Sequence, residues 1–145
     1  MQLILPPIFR QVIESHGADA FPNECCGMLV GRDVPGTGRM VEKLVKVPND
    51  FPTVEQYHRF SIDPLLQLQT EKKAAAEGKM LLGFYHSHPD HPARPSEYDR
   101  AHAWPFYSYL IVSILAGKPD VMTCWVLDET TEQFVEQEIV DCLPR

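Results

Sequence analysis

His86 and His88 stand two residues apart in the stretch Tyr85-His86-Ser87-His88-Pro89. In an extended segment, side chains two apart face the same way, so both imidazoles could approach a single ion. Neutral imidazole is a standard zinc ligand, at about 2.0–2.1 Å. Pro89 terminates a strand and puts both rings at a sheet end or loop mouth. The pair by itself fits ordinary surface or core histidines equally well.

A third group of interest lies in Pro95-Ser96-Glu97-Tyr98-Asp99. Ser96 followed three positions later by an acidic residue is close to a capping box, which accounts for Ser96 and Asp99 without any metal. The two readings are compatible, because a carboxylate on the first turn of a helix is held in one orientation, as a third ligand must be. Two histidines and an aspartate with no fourth protein ligand leave a position for water, the mark of a catalytic rather than a structural zinc site. Such a site carries a net charge near +1, and its bound water has a pKa lowered toward ~7. It still needs a base to take the proton and hand it to a leaving amine.

The run from His86-Ser87-His88-Pro89 through Pro95-Ser96 to Asp99 resembles the JAMM motif of the MPN+ metalloproteases, H-x-H-x7-S-x2-D, position by position. Pro22-Asn23-Glu24-Cys25-Cys26-Gly27 is similar to the upstream glutamate element in the family's short bacterial branch, as is Arg59-Phe60-Ser61-Ile62-Asp63-Pro64. The resemblance covers essentially the whole chain. It implies one zinc per chain, held by His86, His88 and Asp99 with a water as fourth ligand. Glu24 would be the general base and then acid, and Ser96 the hydrogen-bond donor to the oxyanion. Glu97 is placed on the exposed side of a helix start and is the poorer base.

The elements that must position these groups can be read from the pattern. Pro6-Pro7 with Ile8, Phe9, Val12 and Ile13 predicts a helix stopped by Gly17. Glu24 to Gly31 predicts a buried strand, Val41 to Val47 a second, and Tyr57 to Ile62 another. Pro64 opens a helix that Gly78 closes. Met80 to Tyr85 is a short apolar run leading into the histidines, and Ser96 begins another helix. Tyr109 to Leu115, Val121 to Leu127 and Gln133 to Val140 predict three more strands. The expectation is a single α/β (α+β) domain over residues 1–145, with a central mixed sheet flanked by helices. The resemblance implies a cytidine-deaminase-like architecture.

Net charge is −7 over 145 residues, and the sequence pI is about 5.3. This does not favour a nucleic-acid or anionic-membrane surface, which needs clustered Lys and Arg. MQLILPP lacks the charged start of a signal peptide, and no apolar run reaches the ~18 residues of a membrane span. The four cysteines show no C-x-x-C spacing, so the expectation is a cytoplasmic protein with reduced, buried thiols, Cys25 and Cys26 pointing to opposite faces of a strand.

His91 and His102 are read as surface or supporting residues, His16 and His58 as structural, and Trp104, Phe106, Tyr107 and Tyr109 as core packing. The run from Asp99 to Tyr109 leaves little room for the insertions with which eukaryotic members embrace ubiquitin chains. The resemblance therefore implies a minimal peptidase or isopeptidase, monomeric or weakly dimeric. Its substrate would be the bond after the C-terminal Gly-Gly tail of a small ubiquitin-like sulfur-carrier protein. Two alternatives stay open: a non-catalytic MPN-type binding scaffold, and a structural zinc site closed by His91 or a cysteine.

Overall fold

A computed structural model describes residues 1–143. The strands are β1 (Gln2–Ile4), β2 (Cys26–Val34), β3 (Gly38–Val47), β4 (Met80–Pro89), β5 (Ser108–Leu115), β6 (Lys118–Leu127) and β7 (Phe134–Val140). The helices are α1 (Pro7–Ala20), α2 (Pro64–Ala76) and α3 (Glu97–Ala101), with one 3-10 turn at Thr53–Glu55. The sheet is mixed: β4 and β5 run parallel, whereas β2 is antiparallel to both β3 and β4. Short β1 lies parallel between β3 and β7 and closes the sheet into a barrel, which removes exposed edges. Three residues are too few to show a strand's alternation, so β1 was not legible in the sequence.

The alternation of β2 divides the core. Cys25 and Leu29 join Leu82, Tyr85, Leu110, Val112 and Ile114 in one buried cluster, against which Phe9 and Ile13 of α1 pack. Cys26, Met28 and Val30 join Leu81 and Phe84 in a second cluster covered by Leu66 and Ala74 of α2. Each large apolar side chain so buried contributes roughly 1.5–3 kcal/mol. The adjacent cysteines therefore do face opposite ways. Cys25, Cys26 and Cys124 are buried free thiols, whereas Cys142 is exposed, contrary to the expectation for that residue.

Two expected elements differ. Gly17 does not stop α1; it is buried inside the helix, where an added Cβ would lie 2.8 Å from Ile114 Cδ1, so it is glycine for close packing. The segment 57–62 is not a strand. Its polar groups are engaged by Asn49 instead of by a neighbouring strand: Asn49 Nδ2 donates to the Arg59 carbonyl and Asn49 Oδ1 accepts from Ser61 N. Among the described residues, no helix is long and apolar enough to cross a membrane.

Candidate metal centre

The apolar run beginning at Met80 does not end at Tyr85 but carries β4 through His86, Ser87 and His88 to Pro89. Strand alternation then sorts the side chains. Tyr85 belongs to the inner cluster, and Ser87 Oγ turns away from the histidines to accept from Cys25 N at 2.8 Å. His86 and His88 share the other face. Pro95 leads into Ser96, which caps α3: Ser96 Oγ accepts from Asp99 N at 3.0 Å, and Asp99 Oδ2 accepts from Ser96 N at 2.9 Å. The capping box is present in full, and it aims the Asp99 carboxylate at the β4 histidines.

Three acceptor atoms converge there. His86 Nε2 and His88 Nε2 are 3.1 Å apart, and Asp99 Oδ2 lies 3.4 Å from the first and 3.2 Å from the second. Ligand atoms about 2.0–2.1 Å from a tetrahedral zinc stand roughly 3.3–3.4 Å from one another, so this triangle has the dimensions of one face of a zinc tetrahedron. His88 Nδ1 is 2.9 Å from the Pro92 carbonyl, which can only accept. The ring proton therefore sits on Nδ1, leaving the Nε2 lone pair toward the centre. Phe60 stacks on His86 at 4.4 Å and fixes its plane, while His86 Nδ1 is buried without a partner.

The electrostatics agree with a place for positive charge. Burial holds the His86 imidazole below its ordinary range although Asp99 pulls the other way, so the ring is neutral. Burial also lowers His88, but the hydrogen bonds to Asp99 and Pro92 outweigh it and raise the group. Burial resists ionisation of Asp99, and the two histidines with the Ser96 amide overcome it, holding the carboxyl far below the usual carboxylate range. The ionised Asp99 would balance the charge of a divalent ion at the centre.

Glu24 precedes β2 and is 6% exposed, with Oε1 buried and unpartnered. Its backbone is fastened at both ends: Glu24 N donates to the Gln56 carbonyl at 2.7 Å, and the Glu24 carbonyl accepts from Asn49 Nδ2 at 3.1 Å. Burial pushes its carboxyl up to about 8, with His88 and Arg59 opposing and Asp99 assisting.

The centre lies between two depressions. One, of about 380 Å³, is walled by Phe60, Ile62, Tyr98, Trp104 and Phe134 and reaches His86 and Asp99. The other, of about 310 Å³, holds Glu24, His88 and Ser96 together with Arg59 and Arg94. All five expected site residues thus border one place.

His91 and His102 do not join the triad among the described residues. His102 stacks on Tyr98 at 3.9 Å and donates to the Tyr98 carbonyl at 2.8 Å. No cysteine joins the triad either, so a closed four-ligand site does not form from these groups. Trp104, read as core, is 67% exposed at the rim of the larger depression. The supporting roles of Asn49 and Gln56 had no signal in the sequence, since each depends on a contact across the loop; Phe60 lies in the Arg59–Pro64 stretch that the sequence singled out, but its stacking on His86 was not legible there.

Comparison with known proteins extends this geometry. Residues 7–128 match the family model described as prokaryotic homologs of the JAB domain. The chain is 36% identical over 137 residues to a desampylase of Haloferax volcanii, covering 89% of this chain and 91% of that protein. It is 34% identical over 97 residues to a probable TtuB-protein conjugate cleaving protease of Thermus thermophilus, covering 67% of this chain and 60% of that relative's length. The solution structure of a Desulfitobacterium hafniense protein superposes with a TM-score of 0.81 at 35% identity, covering 96% of this chain and 92% of that one.

Proposed function

This chain belongs to the prokaryotic homologs of the JAB domain, and from that premise we propose that it is a zinc-dependent peptidase or isopeptidase. Its substrate is the bond that follows the C-terminal Gly-Gly tail of a small ubiquitin-like sulfur-carrier protein. The observation that carries the reading is Glu24: a buried carboxylate with an unpartnered oxygen in the same depression as His88 and Ser96. A binding scaffold has no use for such a group, which costs about 1–3 kcal/mol to leave unsatisfied. The names of the Haloferax and Thermus relatives support the substrate class.

His86, His88 and Asp99 would hold the zinc, which when bound polarises the scissile carbonyl and acidifies a water. Glu24 takes that water's proton at its free Oε1 and later gives it to the departing nitrogen. In the metal-free fold burial raises this carboxyl to about 8, and a bound cation would bring it down, which leaves it able to take and return a proton near neutral pH. Ser96 Oγ spends a lone pair on Asp99 N, which leaves its hydroxyl proton free for the oxygen that becomes negative. One such donor is worth about 2.7–4 kcal/mol in a transition state. The carrier's tail lies in the aromatic depression beside His86, and the reaction takes place in the cytoplasm, where the buried thiols stay reduced.

The test is zinc content per chain together with cleavage of a carrier fused through Gly-Gly to a further residue. Wild type should hold near-stoichiometric zinc and cleave the fusion, and His88→Ala should do neither. Glu24→Gln should hold zinc without turnover. A wild type that stays empty after zinc is added back would return the chain to the scaffold reading.

A further inference from the structure

The short run between α3 and β5, His102 to Tyr107, carries Trp104 to the rim of the aromatic depression. Trp104 is 67% exposed there, so little of the fold packs on its indole and its place is set by the backbone that carries it. That backbone is unusual. Phe106 has φ of 84°, in the left-handed region that an aromatic residue occupies only when its surroundings impose it. A group outside the loop must therefore hold Phe106.

Arg39 is that group. It stands on β3, opposite Leu3 of β1, and is buried. Its guanidinium carbon lies 4.5 Å from the centre of the Phe106 ring. Arg39 Nη1 donates to Ser108 Oγ at 2.8 Å and to the Leu82 carbonyl at 3.4 Å. Ser108 Oγ donates onward to Gln137 Oε1 at 2.8 Å, and Cys124 Sγ donates to the same oxygen at 3.2 Å. All these partners are neutral. Among the described residues Arg39 forms no ion pair of the kind that engages Arg32 with Glu42 or Arg100 with Glu97, and its Nε has no partner. Burying a guanidinium among neutral partners costs stability that an apolar residue in its place would not. What an apolar residue could not supply is a cation over the Phe106 ring, an attraction that strengthens where water is excluded.

We propose that Arg39 is a positioning residue for the substrate depression: it fixes Phe106, and through Phe106 the loop that presents Trp104 to the substrate's tail. Two other tethers flank the strained residue. Trp104 N donates to Tyr109 Oη at 2.8 Å, and Tyr107 Oη donates to Glu71 Oε1 of α2 at 2.8 Å. Arg39 holds the residue between them. It lines neither depression and belongs to no part of the ligand triad, so its loss weakens binding of the tail and spares the metal and Glu24. The proposal rests on the hydrolase reading above, in which the tail occupies the aromatic depression.

The experiment uses the zinc-loaded full chain with Trp125→Phe, which leaves Trp104 as the single reporter of the chain's two tryptophans. The probes are a synthetic peptide ending in Gly-Gly and the same peptide extended by alanine. Arg39→Met should lower the fluorescence anisotropy of Trp104 and raise KM for the extended peptide roughly two- to tenfold, the worth of one aromatic contact, with kcat and zinc content kept. Arg39→Lys keeps a cation and should recover part of both. Phe106→Gly accepts the left-handed backbone without the ring and should reproduce the Arg39→Met changes. Combining the two substitutions should add little, because the pair acts as one unit. Phe106→Gly also decides the question if Arg39→Met does not fold. Wild-type anisotropy and KM in either variant, or additive losses in the combined one, would overturn the positioning role and leave the hydrolase reading intact. If the reference protein fails to cleave the extended peptide, the hydrolase reading falls, and titration of Trp104 fluorescence with the Gly-Gly peptide still tests Arg39. Affinity lost in Arg39→Met then keeps the role; affinity unchanged, or absent from the start, removes it.

Discussion

Glu24 is held in a place where its charge is expensive, and that makes it testable apart from catalysis. Its carboxyl stands at about 8 in the metal-free fold against 4.5 when unperturbed. Between those values the unfolded chain is ionised while the folded chain keeps its proton. The contribution is therefore fullest below about 4.5 and is lost as pH rises through about 8. Glu24→Gln cannot ionise, so metal-free Glu24→Gln should gain on wild type as pH rises from about 5 to about 8. Urea unfolding of both proteins across that range measures it, and a constant gap would count against the buried carboxylate. Ser96 caps α3 and, in the proposed reaction, donates to the oxyanion. Ser96→Ala should lose about 0.5–2 kcal/mol of stability through the missing cap, as well as rate through the missing donor. Its rate must be normalised to the folded fraction from thermal unfolding. A Ser96→Ala protein with unchanged turnover per folded molecule would remove the donor role.

The elements place the groups by two devices of different kinds. Strand β4 sets His86 and His88 on one face by alternation, and the capping box of α3 turns Asp99 toward them. Where β4 meets the start of β5, Gly83 lies opposite Ser108. A Cβ added at Gly83 would collide with the Ser108 carbonyl oxygen, a backbone atom with no room to give. Gly83→Ala should cost several kcal/mol, at or beyond the upper end of the ~1–3 kcal/mol usual for overpacking, or prevent folding. Soluble yield and urea midpoint decide it, and a near-neutral result would show that the β4–β5 pairing can shift. The loop from Pro48 to Asp63 is the element that the amino-acid pattern misrepresented. Tyr57 to Ile62 has strand-forming residues, yet Asn49 and Gln56 capture the backbone as an ordered loop, so that Phe60 reaches His86 and Arg59 reaches Tyr98. Side-chain to backbone hydrogen bonds competing with a sheet ladder carry no periodicity, and so leave no trace that spacing can reveal.

At the scale of the whole molecule, the triad joins β4 to α3, two elements otherwise linked by a Pro-rich loop. An ion bound there stabilises the native state alone. At a free zinc concentration about a hundredfold above Kd, the gain is about 2.7 kcal/mol. Thermal unfolding of chelator-treated protein with and without added zinc should show a clear upward shift in Tm. His88→Ala should abolish the shift. A shift of equal size in His88→Ala would place the zinc elsewhere. The barrel itself depends on β1, whose Leu3 and Ile4 are fully buried between β3 and β7.

By itself the sequence determined the types and spacing of the candidate ligands, and the strand and cap that carry them. Alternation along β4 and the three-residue step from Ser96 to Asp99 are local rules, obeyed wherever the chain folds. It also told that Cys25 and Cys26 point to opposite faces. Tertiary structure alone decided that Asp99 meets the histidines, that Glu24 is buried without a partner, and that two depressions of opposite character flank the centre. Those facts depend on contacts between segments up to about seventy residues apart in sequence, and on which polar groups the closing barrel leaves without water. No pattern of neighbours along the chain encodes them.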